Sequence, residues 1–198
     1  MRLVGGQVFV VGGLSTGPLD CHAGFCGTSQ PDMNPRIRST HVGAIGLAVA
    51  QELRAIALEP HPLWLAHAAY DDLDRLGFPR DFLTLPSILE ALPEPIHLPS
   101  PRLMPTFFRL DEPLEDYLTM RLVSGGAYVA CDRTPEEAED GAFAFCEALF
   151  SGAPEDRTSY LCEEGWHGWH HDIAWDATLV TVDRMRGLVW VLLLTDTD

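Results

Sequence analysis

Two apolar runs near the C-terminus constrain the fold more than any other feature of the sequence. Ala177 to Val182 and Leu188 to Leu194 are rich in β-branched and large apolar residues, and Gly187 lies in the short segment between them. This pattern predicts a β-hairpin with a loop of several residues. Because the second run is apolar at every position, we expect it to be buried on both faces, at the centre of a sheet.

The clearest helix signal begins at Thr134. Thr134 is suited to cap a helix, Pro135 fits the first helical position, and the carboxylate of Glu137 can reach back to the cap amide. A helix is therefore predicted to run to Phe150. Its buried side is expected to consist of Ala138, Ala142, Cys146, Leu149 and Phe150.

Apolar spacing and turn residues predict further elements in the first half of the chain. A strand is expected over 3–11 and a long loop over 14–39. An amphipathic helix is predicted from residues at three- and four-residue steps, namely Val42, Ile45, Val49, Leu53 and Ile56. A second helix is predicted over 63–76, ended by Gly77. Ser87 and Glu90 predict a capping box for a short helix that ends near Leu92.

The second half of the chain predicts short elements before the capped helix. These are a strand over 106–110, a helix over 114–123 and a strand over 127–131. Together the elements predict an α+β fold, with a mixed or antiparallel sheet, helices packed on it and a C-terminal β-hairpin. A chain of 198 residues fits a single domain over 1–198. If the chain has a boundary, it is expected over 93–105, where five prolines disfavour helix and sheet.

The charge balance of the sequence indicates which kinds of partner the protein can bind. All 13 basic residues are arginine and 29 residues are acidic, which gives a formal net charge of -16. Nucleic acid is excluded as a partner because its binding depends on clustered cationic side chains. A basic protein is the electrostatic complement of such a chain. A second copy of the chain, covering an apolar surface, is another partner to consider.

The cysteines and the N-terminus indicate a compartment. The five cysteines form an odd set, and the first residues lack the long apolar segment of an export signal. Reduced thiols in a cytoplasm are therefore predicted. No apolar stretch approaches the length that a bilayer-spanning helix requires, so a membrane is not expected as a partner.

The segment around residues 163–176 concentrates the residue types that bind partners. Tryptophan dominates the energetics of protein interfaces, and acidic side chains would suit a basic partner. The predicted contact residues are Trp166, Trp169, Trp175, Asp172, Asp176, Glu163 and Glu164.

A metal site is the alternative for the same segment. If it were helical, His167, His170 and His171 would share one face, with Asp172 or Asp176 as a carboxylate ligand or as an orienting group. Zinc or another divalent metal bound there would activate water in a metal-dependent hydrolase. The spacing differs from that of zinc proteases, and no glutamate occupies the position of their catalytic base. Packing or an interface is therefore favoured over metal, and no cofactor is the first expectation.

Other polar groups offer weaker candidates. Cys21, His22 and Cys26 could bind zinc or form a catalytic pair, but a fourth ligand and an orienting residue are missing from the pattern. Acidic pairs such as Glu136 with Glu137 are interpreted as solvated helix faces or caps. No catalytic residues are assigned, and the sequence favours a binding protein over an enzyme.

The C-terminal stretch resembles a known class of proteins. Asp-Ile-Ala-Trp-Asp-Ala-Thr at 172–178 and Leu-Leu-Leu-Thr-Asp-Thr-Asp at 192–198 resemble the ends of bacterial toxin-immunity-type proteins. The resemblance is confined to this stretch and carries no catalytic residues. It implies a cytoplasmic protein that neutralises a basic cognate toxin by covering it, which requires shape and charge rather than chemistry.

Overall fold

The computed structural model describes most of the chain after residue 35. The described ranges are 36–43, 51–60, 77–92, 105–125, 133–150, 152–171 and 173–196, with the single residues Trp64 and Leu73. For 36–43, 51–55 and Asp196 only the backbone is described. The predicted strand over 3–11, the strand over 127–131 and nearly all of the helix over 63–76 lie outside these ranges.

A six-stranded sheet organises the molecule, and all neighbouring strands are antiparallel. The strands are β1 (Arg36–Gly43), β2 (Gln51–Glu59), β3 (Phe108–Arg109), β4 (Arg157–Cys162), β5 (Ala177–Asp183) and β6 (Leu188–Asp196). Their order across the sheet is β1-β2-β6-β5-β4-β3. The sheet therefore joins strands from both sides of the proline-rich segment 93–105, most of which lies outside the described ranges.

Within the described ranges, four short or medium helices accompany the sheet. They are α1 (Arg80–Leu83), α2 (Pro86–Leu89), α3 (Leu114–Ser124) and α4 (Pro135–Leu149), and a 3-10 turn covers Pro154–Asp156. The predicted α+β class is confirmed. Among the described residues, no helix has the length and apolar character needed to cross a bilayer.

Each face of the sheet carries its own hydrophobic core. Because side chains alternate along a strand, Trp190 and Leu192 of β6 lie in one core while Val191 and Leu193 lie in the other. Helices α3 and α4 contribute to the first core. Helices α1 and α2, with Trp64 and Trp169, contribute to the second. The sheet is thus a middle layer, which explains why its central strands are apolar at successive positions.

The C-terminal hairpin is confirmed. Strands β5 and β6 pair from Ala177 with Leu194 to Asp183 with Leu188. Strand β6 lies between β2 and β5, and its residues from Leu188 to Thr195 are buried, as predicted for a central strand.

The capped helix is also confirmed. The backbone N–H of Glu137 donates to Thr134 Oγ1 at 3.2 Å, and the N–H of Thr134 donates to Glu137 Oε2 at 3.1 Å. Helix α4 buries Ala138, Ala142, Cys146 and Leu149. Helix α3 matches the predicted helix over 114–123, and β3 lies within the predicted strand over 106–110.

The amphipathic helix predicted over 42–56 is wrong. Residues 42–43 end β1, and residues 51–56 belong to β2. Because β2 lies between β1 and β6, Ile56, Ala57 and Leu58 are all buried, so apolar residues occur at odd and even positions. A strand covered on both faces can therefore imitate helical spacing. The loop predicted over 14–39 is wrong at its end, where β1 begins at Arg36.

The capping box predicted from Ser87 and Glu90 is wrong as well. Leu85 occupies the cap position of α2, and Pro86 is its first residue. Proline lacks an N–H and fits the first turn, so the helix begins one residue before Ser87. Glu90 follows the last helical residue and cannot serve the N-terminus.

Gly77 is fixed by its backbone conformation. Its φ is +68°, and a Cβ at this position would approach Asp81 Oδ2 to 2.1 Å. The positive φ favours glycine here because other residues rarely adopt this conformation, whereas the exposed Asp81 carboxylate could move away from a Cβ. The chain reverses at Gly77 and enters α1 three residues later.

Candidate functional site

The tryptophan-bearing segment between β4 and β5 consists of turns rather than helix. Trp169 is 2% exposed and lies in the second core, so it has no surface to offer a partner in this conformation. Trp166 is partly buried against the same core and donates its Nε1–H to Thr178 Oγ1 at 2.8 Å. The first two predicted anchors therefore attach the segment to the sheet.

Trp175 and Asp176 have structural contacts on the other side of the segment. The guanidinium of Arg121 lies 5.0 Å from the centre of the Trp175 ring and donates to the Trp175 carbonyl oxygen. Asp176 is fully buried, and its carboxylate accepts from Ile173 N at 2.9 Å and from Thr195 Oγ1 at 2.6 Å. Because its oxygens are occupied inside the protein, Asp176 is not available to a partner in this conformation.

The remaining predicted contact residues are acidic. Glu163 is exposed, whereas Glu164 is partly buried and accepts from Thr106 N at 3.4 Å. Asp172 lies outside the described residues. Of the predicted contact set, Glu163, Glu164, Trp166 and Trp175 thus keep part of their surface accessible.

The histidines do not share a helix face, because residues 166–171 form turns. His167 Nδ1 accepts from Trp169 N at 3.3 Å, and His170 Nε2 lies 3.4 Å from Thr178 Oγ1. Burial lowers the pKa of both His167 and His170, although the Asp176 carboxylate opposes this effect at His170. Within the described ranges, no three His, Cys, Asp or Glu residues are grouped to hold a metal. Cys21, His22 and Cys26 fall outside those ranges.

Helix α4 presents a different acidic surface. Its five acidic residues, Glu136, Glu137, Glu139, Asp140 and Glu147, are all exposed, and the helix carries no basic residue. The acidic residues are exposed because the residues at positions 138, 142, 146 and 149 face the core, so the charged side of the helix faces the solvent.

An exposed aromatic ring lies among these carboxylates. Phe143 is 43% exposed. On a helix its neighbours are the residues three and four positions away, which are the exposed Glu139, Asp140 and Glu147 and the buried Cys146. Interface cores are enriched in aromatic side chains and their rims are polar, and Phe143 with its neighbouring carboxylates fits that arrangement.

Helix α3 adds exposed apolar residues next to α4. Met120 is 54% and Val123 is 42% exposed. A Cβ built on Gly141 of α4 would lie 3.8 Å from Leu122 Cδ1, which places the two helices side by side at this point. Residues two positions apart on a helix point in different directions, so Phe143 lies on the side of α4 away from Gly141 and α3. The α3/α4 surface denotes the exposed residues of the two helices, which are Met120, Val123, Glu136, Glu139, Asp140, Phe143 and Glu147.

Sequence reasoning did not identify the α3/α4 surface. It predicted α4 correctly but interpreted Glu136 and Glu137 as part of a solvated face or a cap. The signal was present, because a helical projection of 135–149 places Phe143 on the exposed side between carboxylates. The contact with α3 was not predictable, since it depends on how the two helices pack.

The chain was compared with protein-family models, with curated proteins and with solved structures, and none of them matches it. The resemblance of the C-terminal stretch to immunity-type proteins therefore stays a prediction. The surface chemistry of the folded chain provides the grounds for a functional proposal.

Proposed function

We propose that the protein binds a basic protein partner through the α3/α4 surface, as an immunity-type protein that neutralises a toxin by covering it. The observation that carries this proposal is the exposed Phe143 ring among carboxylates, on a helix without a basic residue. The overall charge of -16 supports the same polarity for the partner.

The surface offers two kinds of contact to such a partner. Phe143 on α4 provides apolar area that a partner would remove from water, and Met120 and Val123 provide further exposed apolar area on α3. The carboxylates around Phe143 would accept hydrogen bonds from arginine or lysine side chains, and an arginine could also stack on the ring. Aromatic residues and methionine are enriched in interface cores, with charged residues at the rim.

The charge of the whole molecule supports association rather than catalysis. A negative potential attracts a basic protein from a distance and raises the rate of encounter. Neutralisation by covering a partner needs no nucleophile or metal. The acidic character of the exposed side of α4 therefore suits a role in recognition.

The experiment places a photoreactive benzoylphenylalanine at position 143 and, as a matched control, at Leu89. Leu89 is 44% exposed, on a helix of the opposite sheet face. Each variant is irradiated in native cell extract. We expect position 143 to cross-link to a basic protein that position 89 does not capture. Identical products at both positions, an acidic product, or none from position 143 would reject the proposal.

The purified cross-linked partner then allows a quantitative measurement. Replacement of a central aromatic contact costs about 2 kcal/mol or more, so Phe143→Ala should raise the Kd roughly 30-fold or more. Leu89→Ala should leave the Kd unchanged, and affinity should fall as salt is raised. Equal effects of the two alanine variants would show that Phe143 is not an anchor.

A further inference from the structure

Four exposed residues form a straight stripe along helix α4. Glu136, Asp140, Phe143 and Glu147 follow one another at steps of four, three and four residues. At 3.6 residues per turn, these steps keep the four side chains within about 60° of arc around the helix axis. All four are exposed, and Phe143 is the apolar member among three carboxylates. These four residues define the Phe143 stripe.

The side chains of the Phe143 stripe are not committed to contacts within the protein. Within the described ranges, no hydrogen bond or ion pair occupies the carboxylates of Glu136, Asp140 and Glu147. Helix α3 lies on another side of α4, near Gly141. The stripe is therefore accessible to a partner along its length, with carboxylates before and after the aromatic ring along the helix axis.

The axial distances along the stripe distinguish the shapes that a basic partner could present. With a rise of 1.5 Å per residue, the three steps along α4 measure about 6, 4.5 and 6 Å, or about 16.5 Å in total. A second helix laid along α4 repeats these distances when its own contact residues follow at steps of four, three and four.

An extended partner does not repeat these distances. Residues on one side of a β-strand recur about every 6.7 Å, so three steps cover about 20 Å and the last contact is displaced by about 3.5 Å. That displacement is greater than the length of a hydrogen bond, about 2.9 Å. The spacing of the stripe therefore favours a helix over a strand as the element that lies on it.

We propose that the basic partner presents an α-helix to the Phe143 stripe, with arginine or lysine at its positions i, i+4, i+7 and i+11. This inference rests on the proposed function and specifies the partner's contact element. Three of the basic side chains would pair with the carboxylates, and an arginine opposite Phe143 would stack on the ring. Because the order of steps reads the same in both directions, the partner helix fits in parallel or antiparallel orientation.

Two arginine-bearing peptides of identical composition test this inference. Both are alanine-based chains of about 20 residues, a length at which such sequences form helix in water. The first peptide has four arginines at steps of four, three and four. The second has them at steps of two, which places them on opposite sides of a helix or on one side of a strand.

Fluorescence anisotropy of the labelled peptides measures their affinity for the full chain at constant ionic strength. We expect the first peptide to bind about tenfold more tightly than the second, because only its arginines reach all four residues of the stripe from one helix face. Equal affinities, tighter binding of the second peptide, or no binding of the first would overturn the helix assignment.

Failure of this inference is distinguishable from failure of the proposed function. If position 143 cross-links to a basic protein while the two peptides bind equally, the partner contacts α4 through an element other than a helix, and the proposed function stands. If position 143 captures no basic protein, the proposed function fails whatever the peptides show.

Two charge-matched double variants locate the first peptide on the protein. Asp140→Asn with Glu147→Gln removes two carboxylates of the stripe, and Asp111→Asn with Glu90→Gln removes two exposed carboxylates elsewhere. Affinity for the first peptide should fall about fivefold in the first variant and less than about twofold in the second. Equal losses in both variants would assign the binding to overall charge and overturn the proposal.

Discussion

Glu115 and Arg157 form a buried ion pair next to an aromatic ring and a thiol, in which Arg157 Nη2 donates to Glu115 Oε1 at 2.7 Å. The Arg157 guanidinium lies 5.0 Å from the centre of the Phe150 ring. Burial raises the pKa of Cys146 to about 12, and the nearby Glu115 carboxylate acts in the same direction. Cys146 therefore remains a neutral thiol, and Arg157 is the cation that compensates the buried carboxylate.

Removal of one partner should be far more costly than removal of both. Arg157→Met leaves the Glu115 charge buried without compensation, which is expected to lower the free energy of unfolding by about 3–5 kcal/mol. The double variant Glu115→Leu with Arg157→Met removes both charges and should lose much less. Urea unfolding followed by circular dichroism measures both values. A double variant that is less stable than Arg157→Met alone would contradict this account.

The exposed pair of Arg80 and Asp81 provides the control for burial. Both side chains are 50% exposed, and the Nε to Oδ1 distance is 3.0 Å. Solvent screens such a pair, so Arg80→Met should change the free energy of unfolding by less than about 1 kcal/mol. A loss as large as that of Arg157→Met would show that burial does not set the difference.

At the scale of the elements, the N-terminus of α4 depends on its capping box. Thr134→Ala removes the acceptor for the Glu137 N–H and is expected to cost about 1 kcal/mol. Thr134→Ser keeps the hydroxyl and should retain most of the stability. The midpoints of urea unfolding compare the two variants. Equal destabilisation by alanine and serine would indicate that the hydroxyl does not stabilise the helix.

The elements that the sequence predicted correctly are those with local signals. The Thr134 cap and the β-branched residues on either side of Gly187 are signals that involve only a few neighbouring residues. Helix α4 and the C-terminal hairpin lie where these signals predicted them. Strand β2 has no such signal. Its Ile56 and Ala57 face opposite cores, and only the position of β2 between β1 and β6 decides their conformation.

The candidate sites differ in the same way. The exposed side of α4 follows from its helical period, so the position of Phe143 could have been predicted from the sequence. The ion pair of Glu115 with Arg157 could not, because it joins side chains from separate parts of the chain. The prediction of Trp169 as an anchor rested on its residue type, which does not distinguish an interface tryptophan from one that is buried in the core.

On the scale of the whole molecule, two electrostatic effects oppose each other as the pH falls from neutral. The net charge of -16 decreases in magnitude, which relieves repulsion within the compact state and stabilises it. His167 and His170 act in the opposite direction, because burial lowers the pKa of each below the unfolded value of about 6.5. The stability that the two neutral histidines contribute is fully present above the unfolded pKa. It is lost as the pH falls from the unfolded pKa toward the folded pKa.

A double variant, His167→Gln with His170→Gln, separates the two effects. Wild type and variant share the relief of repulsion, so the difference between their free energies of unfolding reports the histidines alone. We expect wild type to lose stability relative to the variant between pH 7.5 and 5.5, because the unfolded chain binds protons there that the folded protein excludes. Urea unfolding across this range, repeated at 0.5 M NaCl to screen surface repulsion, measures the difference. Parallel curves for the two proteins would mean that neither histidine is held neutral by burial, and that the tryptophan-bearing segment admits protons freely in the folded state.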